Sequence, residues 1–156
     1  MARTPSKPSV TKLSDFLCFA VYSANLAFGR AYRPVLDKLG LTYTQYVTMV
    51  ALWDEDDQTV GALGEKLFLE SNTLTPILKK LETLGYIDRR RDPADERQVR
   101  VTLTPKGRAL QLKMEIIGSE LLGATGLGDD FVKVQQAVVK LRDNLLSASE
   151  AKAAAN

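Results

Sequence analysis

The chain has 156 residues, of which 45% are hydrophobic, and this fits one domain with an ordinary core. Its net charge of +2 excludes both a histone-like polycation and an acidic disordered chain. Histidine is absent and Cys18 is the one cysteine, which excludes histidine-activated nucleophiles, histidine-ligated metals and an intramolecular disulfide. We therefore expect a protein without metal or cofactor that is not an enzyme. A lone thiol with no secretory signal or long apolar run indicates a cytoplasmic protein that does not associate with membranes.

The N-terminal part is predicted to be a tail followed by one long helix. Residues 1–10 combine prolines with cations and are expected to be flexible. Apolar residues then recur at three- and four-residue steps across 11–40, which predicts an amphipathic helix capped by Thr11 or Ser14. Pro34 is expected to kink this helix or to begin a short second segment.

Three shorter amphipathic helices are predicted next. The first begins at a capping box that opens with Thr42, and the second is capped by Thr59. Ser71 or Asn72 opens the third, which Gly85 ends in a left-handed conformation. This spacing is that of a helix-turn-helix. Val47, Val50 and Trp53 carry the first of these helices, and Val60, Leu63 and Leu67 are expected to face inward from the second. The apolar residues on one side of the third are Leu74, Ile77, Leu78, Leu81 and Leu84.

A β-hairpin is predicted directly after the third helix. Residues 86–91 are short and rich in arginine, and apolar residues alternate with polar ones across 99–103. The polar residues 92–97 form the turn between them. A hairpin in this position is a wing, so residues 42–104 are predicted to be a winged helix-turn-helix that binds DNA.

Two more helices are predicted after the wing. Thr104 and Pro105 are a cap and a proline at the first helical position, and they start a long helix. After a glycine-rich break at 123–128, apolar residues across 131–145 step by three and four, which gives about two heptads of a coiled-coil seam.

The terminal helices are predicted to make the protein a homodimer. Residues 11–40 and 105–148 present more apolar surface than one small core requires, so we expect them to form a helical dimerisation region. Residues 149–156 are alanine-rich and are predicted to be a C-terminal tail. The expected fold is therefore mainly α, a winged helix-turn-helix with N- and C-terminal helices forming a dimerisation region.

Positive charge is concentrated in the predicted DNA-binding region. Residues 60–110 carry a net charge of +3, whereas the rest of the chain carries −1. Short polar side chains on the third helix let it enter the major groove, and an arginine at the wing tip can enter the minor groove. The cations that flank this surface are Lys79, Lys80, Arg89, Arg90, Arg91, Arg97 and Arg100.

Pro76 is an unusual residue for the recognition helix. It lacks an amide proton, which is tolerated only within the first turn of a helix. Capping as late as Asn72 or Thr73 would place it there.

Two interpretations of Cys18 follow from its surroundings. It lies about one turn into the first predicted helix among apolar residues, which favours a buried, inert thiol. Tyr22, however, lies on the same face about 6 Å further along the helix, and Tyr32 lies on that face about 21 Å away. Tyr32 cannot reach Cys18 of its own chain, but an antiparallel second chain would bring its Tyr32 opposite that thiol. This spacing favours a second interpretation, in which Cys18 is a sensor whose sulfur is contacted by Tyr32 of a second chain.

The order of these features resembles the MarR family of winged-helix repressors. The wing carries this likeness, in Asp95-Glu96-Arg97, Leu103-Thr104 and Gly107. A narrower likeness, over residues 12–145, is to the organic hydroperoxide resistance regulators of that family. It lies in a cysteine followed by tyrosines at plus 4, plus 14 and plus 25, and in a recognition helix with an internal proline. The matching residues are Leu17-Cys18-Phe19, Tyr22, Tyr32, Leu41-Thr42-Tyr43, Gln45-Tyr46, Leu69, Ser71, Thr73-Leu74-Thr75-Pro76 and Leu78-Lys79.

This resemblance implies a repressor whose operator binding is controlled by Cys18. Organic hydroperoxides would oxidise Cys18 to a sulfenic acid. Tyr22, with Tyr32 and Tyr43 from the partner subunit, would contact the sulfur. Residues 118–130 contain no second cysteine, so the chain resembles the one-cysteine type, in which an external small thiol caps the oxidised sulfur.

The resemblance also places Arg97 in the minor groove, with Asp95 orienting it. Together with the polar face of the third helix, it completes a set of expected DNA contacts. These are Ser71, Asn72, Thr73, Thr75, Pro76, Lys79, Arg89, Arg91, Asp95 and Arg97.

Two other functions fit parts of the sequence. A repressor of the same architecture could instead be relieved by a small aromatic ligand, with Cys18 incidental. A one-cysteine peroxidase acting through Cys18 is disfavoured, because the sequence has no activating histidine and no recognisable peroxidase loop.

Overall fold

The computed structural model describes residues 12–155, and these form six α-helices and a small antiparallel sheet. The class predicted from the sequence, mainly α with a winged helix-turn-helix, is confirmed; the predicted tail at 1–10 lies outside the described residues. The helices are α1 (Leu17–Leu39), α2 (Tyr43–Asp54), α3 (Val60–Leu67), α4 (Ser71–Thr83), α5 (Pro105–Ala124) and α6 (Phe131–Ala154). The strands are β1 (Gln58–Thr59), β2 (Ile87–Arg91) and β3 (Val99–Leu103).

The chain divides into two compact units, one ending at Ile117 and the other beginning at Gly118. The boundary falls within α5, so the predicted helical region 105–148 is shared between the units. The first unit also contains α1 together with the winged helix-turn-helix.

The wing is a three-stranded sheet with the order β1-β3-β2. Ile87 pairs with Leu103 and Arg91 with Val99, as expected for the predicted hairpin. Gln58 of β1 pairs with Val101 on the other edge of β3, a strand that the sequence pattern did not predict. The wing is therefore joined through β1 to the start of α3.

The core of the first unit contains leucines from every helix of the helix-turn-helix. Leu52 of α2, Leu63 of α3 and Leu74 of α4 are fully buried and meet Val101 of the sheet. Leu78 and Leu81 recur at the helical spacing predicted for α4, and Gly85 takes the predicted left-handed conformation after it. Helices α2, α3 and α4 thus pack with the wing around one shared core.

Helix α1 begins later than the sequence suggested and is not divided at Pro34. A 3-10 turn occupies Leu13–Asp15, and the N-cap of α1 is Phe16, which offers no capping side chain. Ser14 is therefore not the cap, and Cys18 is the second residue of the helix instead of lying a full turn inside it. One continuous helix runs through Pro34.

The buried face of α2 does not include every apolar residue that predicted this helix. The capping box of Thr42 and Gln45 is formed as expected. Met49 and Leu52 are fully buried, whereas Val50 is 42% exposed. Val50 helped to predict the helix but does not belong to its buried face, because α2 is apolar on several sides and its composition does not mark one face.

The second unit contains a longer terminal helix than predicted. Helix α6 continues to Ala154, so the predicted tail is helical over 149–154. Alanine is the residue that favours a helix most, and nothing between Leu145 and Ala154 breaks one. Apolar side chains of the predicted seam are exposed on α6, among them Val134, Val138 and Leu145.

Within residues 12–155, no helix combines the length and the apolar character needed to cross a membrane.

Candidate DNA interface and thiol site

The recognition helix α4 presents a polar face to solvent. Ser71, Asn72 and Thr73 are exposed in its first turn, and Lys79 is exposed two turns later. Thr75 is half-buried, and its hydroxyl donates to the carbonyl of Ser71 at 2.7 Å. The predicted helix contacts thus extend from the first turn of α4 to Lys79 in the third, with the Thr75 hydroxyl engaged by the helix backbone.

Pro76 lies deeper in the recognition helix than the sequence analysis expected. The N-cap of α4 is Glu70, whose side chain makes no capping bond, and neither Asn72 nor Thr73 is a cap. Pro76 is therefore the sixth helical residue, in the second turn, and its ring is exposed. Helix α4 nevertheless continues through Pro76 to Thr83.

Arg97 projects from the wing tip and is held by Asp95. Its side chain is 91% exposed. Its Nε and Nη2 atoms donate to the two carboxylate oxygens of Asp95 at 3.0 and 3.1 Å, and its amide also donates to Asp95. The side-chain bonds, followed by the amide bond, lower the pKa of Asp95. This geometry agrees with the predicted pairing of the two residues.

Arg91 and Arg89 are both engaged within the wing. Arg91 donates from Nη1 to the carbonyl of Glu96 at 2.8 Å, which closes the wing turn. Arg89 donates from Nη2 and Nε to Glu82 of α4 at 2.7 and 3.0 Å, and its amide donates to the same carboxylate. The side-chain bond from Arg89 is the main reason why the pKa of Glu82 is lowered. Arg89, which the sequence placed among the DNA contacts, joins β2 to α4 in this structure.

Arg100 has a structural position that sequence reasoning missed. It lies on β3 and donates from Nε to Asp57 at 2.9 Å and from Nη1 to Asp92 at 3.0 Å. The pKa of Asp57 is lowered chiefly by its bond from Arg100, and that of Asp92 by the amide of Ala94 and then by Arg100. Asp57 precedes β1 and Asp92 follows β2, so Arg100 connects both edges of the wing sheet. No sequence pattern marked Asp57, since it lies in an acidic turn far from the hairpin.

The lone thiol lies at the exposed N-terminal end of α1. Cys18 is exposed, and so is Tyr22 on the next turn of the same helix. Tyr32 lies near the other end of α1, and its ring contacts that of Tyr43 at a centroid distance of 5.3 Å. The structure thus brings Tyr32 and Tyr43 together within one chain.

Tyr46, which was singled out in the sequence only as part of the family likeness, joins this pair of tyrosines. Its ring lies 5.1 Å from that of Tyr32 and 6.3 Å from that of Trp53, centroid to centroid. Burial, followed by the neighbouring Tyr32, raises the pKa of Tyr46 to about 12. Burial also raises the pKa of Tyr43. Both phenols therefore stay protonated and able to donate hydrogen bonds well above neutral pH.

A groove beside the tyrosines could admit a small molecule. Its volume is about 430 Å³, and it lies between α1 and the start of α2. Its lining combines cations with apolar residues, and Arg33 also lies 3.9 Å from Asp37. The lining residues used below are Asn25, Leu26, Arg30, Arg33 and Tyr43.

Comparisons with known proteins agree with this fold and site. The family model described as transcriptional regulator SarA/Rot matches residues 30–114, more than half of the chain. The HTH-type transcriptional regulator TtmR of Methylorubrum extorquens is 46% identical over 134 residues, which are 85% of this chain and 69% of TtmR. The organic hydroperoxide resistance transcriptional regulator of Bacillus subtilis is 39% identical over 135 residues, which are 86% of this chain and 92% of that protein.

Solved structures extend the same likeness. The crystal structure of AbfR of Staphylococcus epidermidis is 36% identical in sequence and has a TM-score of 0.75, over 88% of this chain and 94% of AbfR. Reduced and overoxidised AbfR, each bound to DNA, give TM-scores of 0.75 and 0.72 over 86% of this chain and 94% and 95% of AbfR. This chain therefore belongs to the MarR family of winged-helix transcriptional regulators, in the group of the organic hydroperoxide resistance regulators.

Proposed function

We propose that this protein is a redox-sensing repressor that binds an inverted-repeat operator as a homodimer and releases it when organic hydroperoxides oxidise Cys18. The observation that carries the proposal is an exposed lone thiol on α1, the helix that also contributes Tyr32 to the tyrosine cluster. The similarity to a regulator of organic hydroperoxide resistance, and to a protein solved on DNA in reduced and overoxidised forms, supports it.

The DNA-binding step uses two parts of the first unit. Each subunit places the exposed face of α4 in the major groove and the wing beside it. Ser71, Asn72 and Thr73 read base edges, with Pro76 packing beside them, while Lys79 adds a contact to phosphate or guanine. Arg97 enters the minor groove, where the negative potential favours a cation. The Thr75 hydroxyl and the Arg91 guanidinium would have to exchange their internal bonds to reach DNA, so we expect smaller contributions from them.

The sensing step is a two-electron oxidation of the thiol. The sulfur of Cys18 attacks the hydroperoxide and its O–O bond breaks, which gives a sulfenic acid and the alcohol of the peroxide. A small external thiol then condenses with the sulfenic acid, so that a mixed disulfide forms and water leaves. The chain has no second cysteine to perform this second step.

The oxidised sulfur is coupled to DNA through the dimer. In an antiparallel dimer, Tyr32 and Tyr43 of one subunit would donate hydrogen bonds to Cys18 of the other. A sulfenic acid or mixed disulfide no longer fits those donors, and the α1 helices move to accommodate it. The distance between the two recognition helices then ceases to match the operator. A coupling free energy of about 3 kcal/mol would lower operator affinity about a hundredfold.

A gel shift with the upstream region of its own gene tests this proposal. We expect reduced protein to bind, hydroperoxide-treated protein to bind about a hundredfold more weakly, and protein treated with hydroperoxide plus a small thiol to stay released until a reductant is added. Cys18→Ser should bind the same DNA and remain bound after peroxide. Release of the Cys18→Ser variant by hydroperoxide would disprove a role for this thiol.

A second candidate function rests on the groove beside α1. Arg30 and Arg33 could pair with a carboxylate while Leu26 and Tyr43 contact an aromatic ring, so an aromatic acid could relieve repression with Cys18 incidental. Under this alternative, Arg30→Ala would abolish release by the ligand, and Cys18→Ser would respond to the ligand as the unmodified protein does.

A further inference from the structure

The hydrogen bonds of the first turn of α4 leave one backbone carbonyl without its usual partner. The carbonyl of Glu70 accepts from the amides of Thr73 and Leu74 at 3.0 and 2.9 Å. The carbonyl of Ser71 accepts from the Thr75 hydroxyl at 2.7 Å. The carbonyl of Asn72 should accept from the amide four residues on, but that residue is Pro76, which has none.

This carbonyl lies on the surface that the proposed function turns toward DNA. Asn72 and Pro76 are one helical turn apart on the same side of α4, and both are exposed. Carbonyls on the solvent side of a helix tilt outward, and a proline ring pushes the carbonyl of the fourth preceding residue further from the helix axis. We therefore expect this oxygen, which lacks the amide of residue 76 as a partner, to tilt outward among the side chains expected to read bases.

We propose that Pro76 is a specificity-determining residue because it frees the backbone carbonyl of Asn72 to accept a hydrogen bond from an exocyclic amino group in the major groove. Two groups there can donate, the N4 amino group of cytosine and the N6 amino group of adenine. A guanine or thymine at the same place offers an acceptor, which repels a carbonyl. The inference rests on the proposed function, since it assumes that α4 enters the major groove.

A second helix proline, Pro34, removes a carbonyl partner away from the proposed DNA-binding surface and so provides a contrast. Pro34 removes the amide partner of the Arg30 carbonyl in α1. The Arg30 carbonyl lies on a helix outside the helix-turn-helix. Of these two carbonyls, only that of Asn72 is therefore placed to contact a base. A proline in the second turn of a helix lowers helix stability, and because Pro76 is exposed, burial of its ring does not offset this cost.

Base analogues provide the test, with Pro76→Ala as the main variant. The probe is the bound segment of its own upstream DNA, with single cytosines and adenines replaced in both half-sites by analogues that lack the N4 or the N6 amino group. We expect one such replacement to weaken binding of the unmodified protein about threefold to tenfold for each half-site, the effect of one lost neutral hydrogen bond. Pro76→Ala restores the amide, so it should bind the natural duplex more weakly by the same factor and show no further loss with the analogue.

Asn72→Ala is the matched control, because it removes the side chain and keeps the carbonyl. It should remain sensitive to the analogue that Pro76→Ala ignores. If no position distinguishes the unmodified protein from Pro76→Ala, or if Pro76→Ala loses affinity equally for operator and unrelated DNA, the inference is wrong. Thermal unfolding of Pro76→Ala checks that the helix is intact. Failure of the unmodified protein to bind the natural duplex would instead contradict the proposed function.

Discussion

Asp95 would hold the Arg97 side chain in place before the proposed contact with DNA forms. The guanidinium of Arg97 is almost fully exposed, yet two side-chain bonds to Asp95 restrict its orientation. A side chain held in this way loses less conformational entropy when it binds. The pair belongs to the wing tip alone, so its effects on binding can be separated from effects on folding.

Arg97→Ala should weaken operator binding by about 2 kcal/mol, close to thirtyfold, because it removes hydrogen bonds between a cation and DNA. Unfolding should change little, since the Arg97 side chain is 91% exposed and its hydrogen bonds go to Asp95 at the same wing tip. Fluorescence anisotropy with labelled operator measures the affinity, and thermal denaturation measures stability. Lys152→Ala, which removes a cation from the last turn of α6, is the charge-matched control. An unchanged affinity of Arg97→Ala would remove the wing from the interface.

Tyr46 should make the free energy of unfolding decrease at alkaline pH. Its pKa is raised to about 12 in the folded state by burial and by Tyr32, from 10.0 in the free side chain. The folded state therefore keeps a proton that the unfolded chain releases near pH 10. This contribution to the free energy of unfolding is fully present below about pH 10 and is lost as the pH rises toward 12.

Tyr46→Phe should make the free energy of unfolding decrease less steeply above about pH 10. Urea unfolding between pH 8 and pH 11.5 measures it. At pH 8 the variant differs from the unmodified protein by a constant offset, because it lacks the hydrogen bond to Tyr32. The difference should then shrink as the pH rises above 10. Parallel curves over the whole range would contradict the assigned pKa shift.

At the scale of elements, α4 and β2 are linked by an ion pair between Glu82 and Arg89. The sequence analysis had listed Arg89 among the expected DNA contacts. Glu82 and Arg89 are seven residues apart on different elements, and a pattern of arginines in a wing does not reveal which of them has a partner. The structure shows three bonds between them, with the Arg89 side chain 23% exposed.

Arg89→Ala and Glu82→Ala should each lower the free energy of unfolding by about 1 kcal/mol, and the double variant should lose less than the sum. Urea denaturation of the four proteins forms the cycle. Arg91→Ala, which removes a neighbouring arginine bonded only to a carbonyl, is the matched control and should show no coupling to Glu82. Additive losses for Glu82 and Arg89 would mean that the pair contributes nothing.

Elements with a clear local signal were predicted well. The capping box at Thr42, the cap at Thr59 and the left-handed Gly85 fix helix ends through contacts within a few residues. The alternating residues of β3 likewise show a half-buried strand. Candidate contacts on α4 were found for the same reason, since exposed and buried positions separate at helical spacing.

Elements that depend on distant partners were missed. Strand β1 has two residues, and Gln58 is buried because its amide donates to the carbonyls of Ala51 and Glu55. The bridge from Arg100 to Asp57 spans 43 positions, so no sequence period marks it. The Tyr46 cluster depends on packing between α1 and α2. These contacts are tertiary, which is why residue spacing could not reveal them.

At the scale of the whole molecule, the exposed apolar side chains on α6 belong to the surface through which the proposed homodimer would form. Leu145→Glu should abolish the dimer at micromolar concentration, because a carboxylate would be buried there without a partner. Operator affinity should fall at least about a hundredfold, since two half-sites would no longer be bound together. Light scattering after size exclusion measures the assembly. Lys140→Glu on the same helix is the matched control, and a dimeric Leu145→Glu would show that α6 is not the interface.

The bridge made by Arg100 has a consequence for how repression ends. One guanidinium connects the turn before β1, the middle strand and the turn after β2, and Arg89 joins β2 to Glu82 of α4, so the wing is held to the recognition helix through two sets of bonds. The recognition helix and the wing of each subunit should thus bind their own half-site as one rigid unit. We therefore expect the oxidised protein to keep its affinity for a single isolated half-site and to lose only the benefit of binding two at the natural separation. In such a molecule, repression would end because the two subunits can no longer bind their half-sites at the same time, although each still recognises its own half-site.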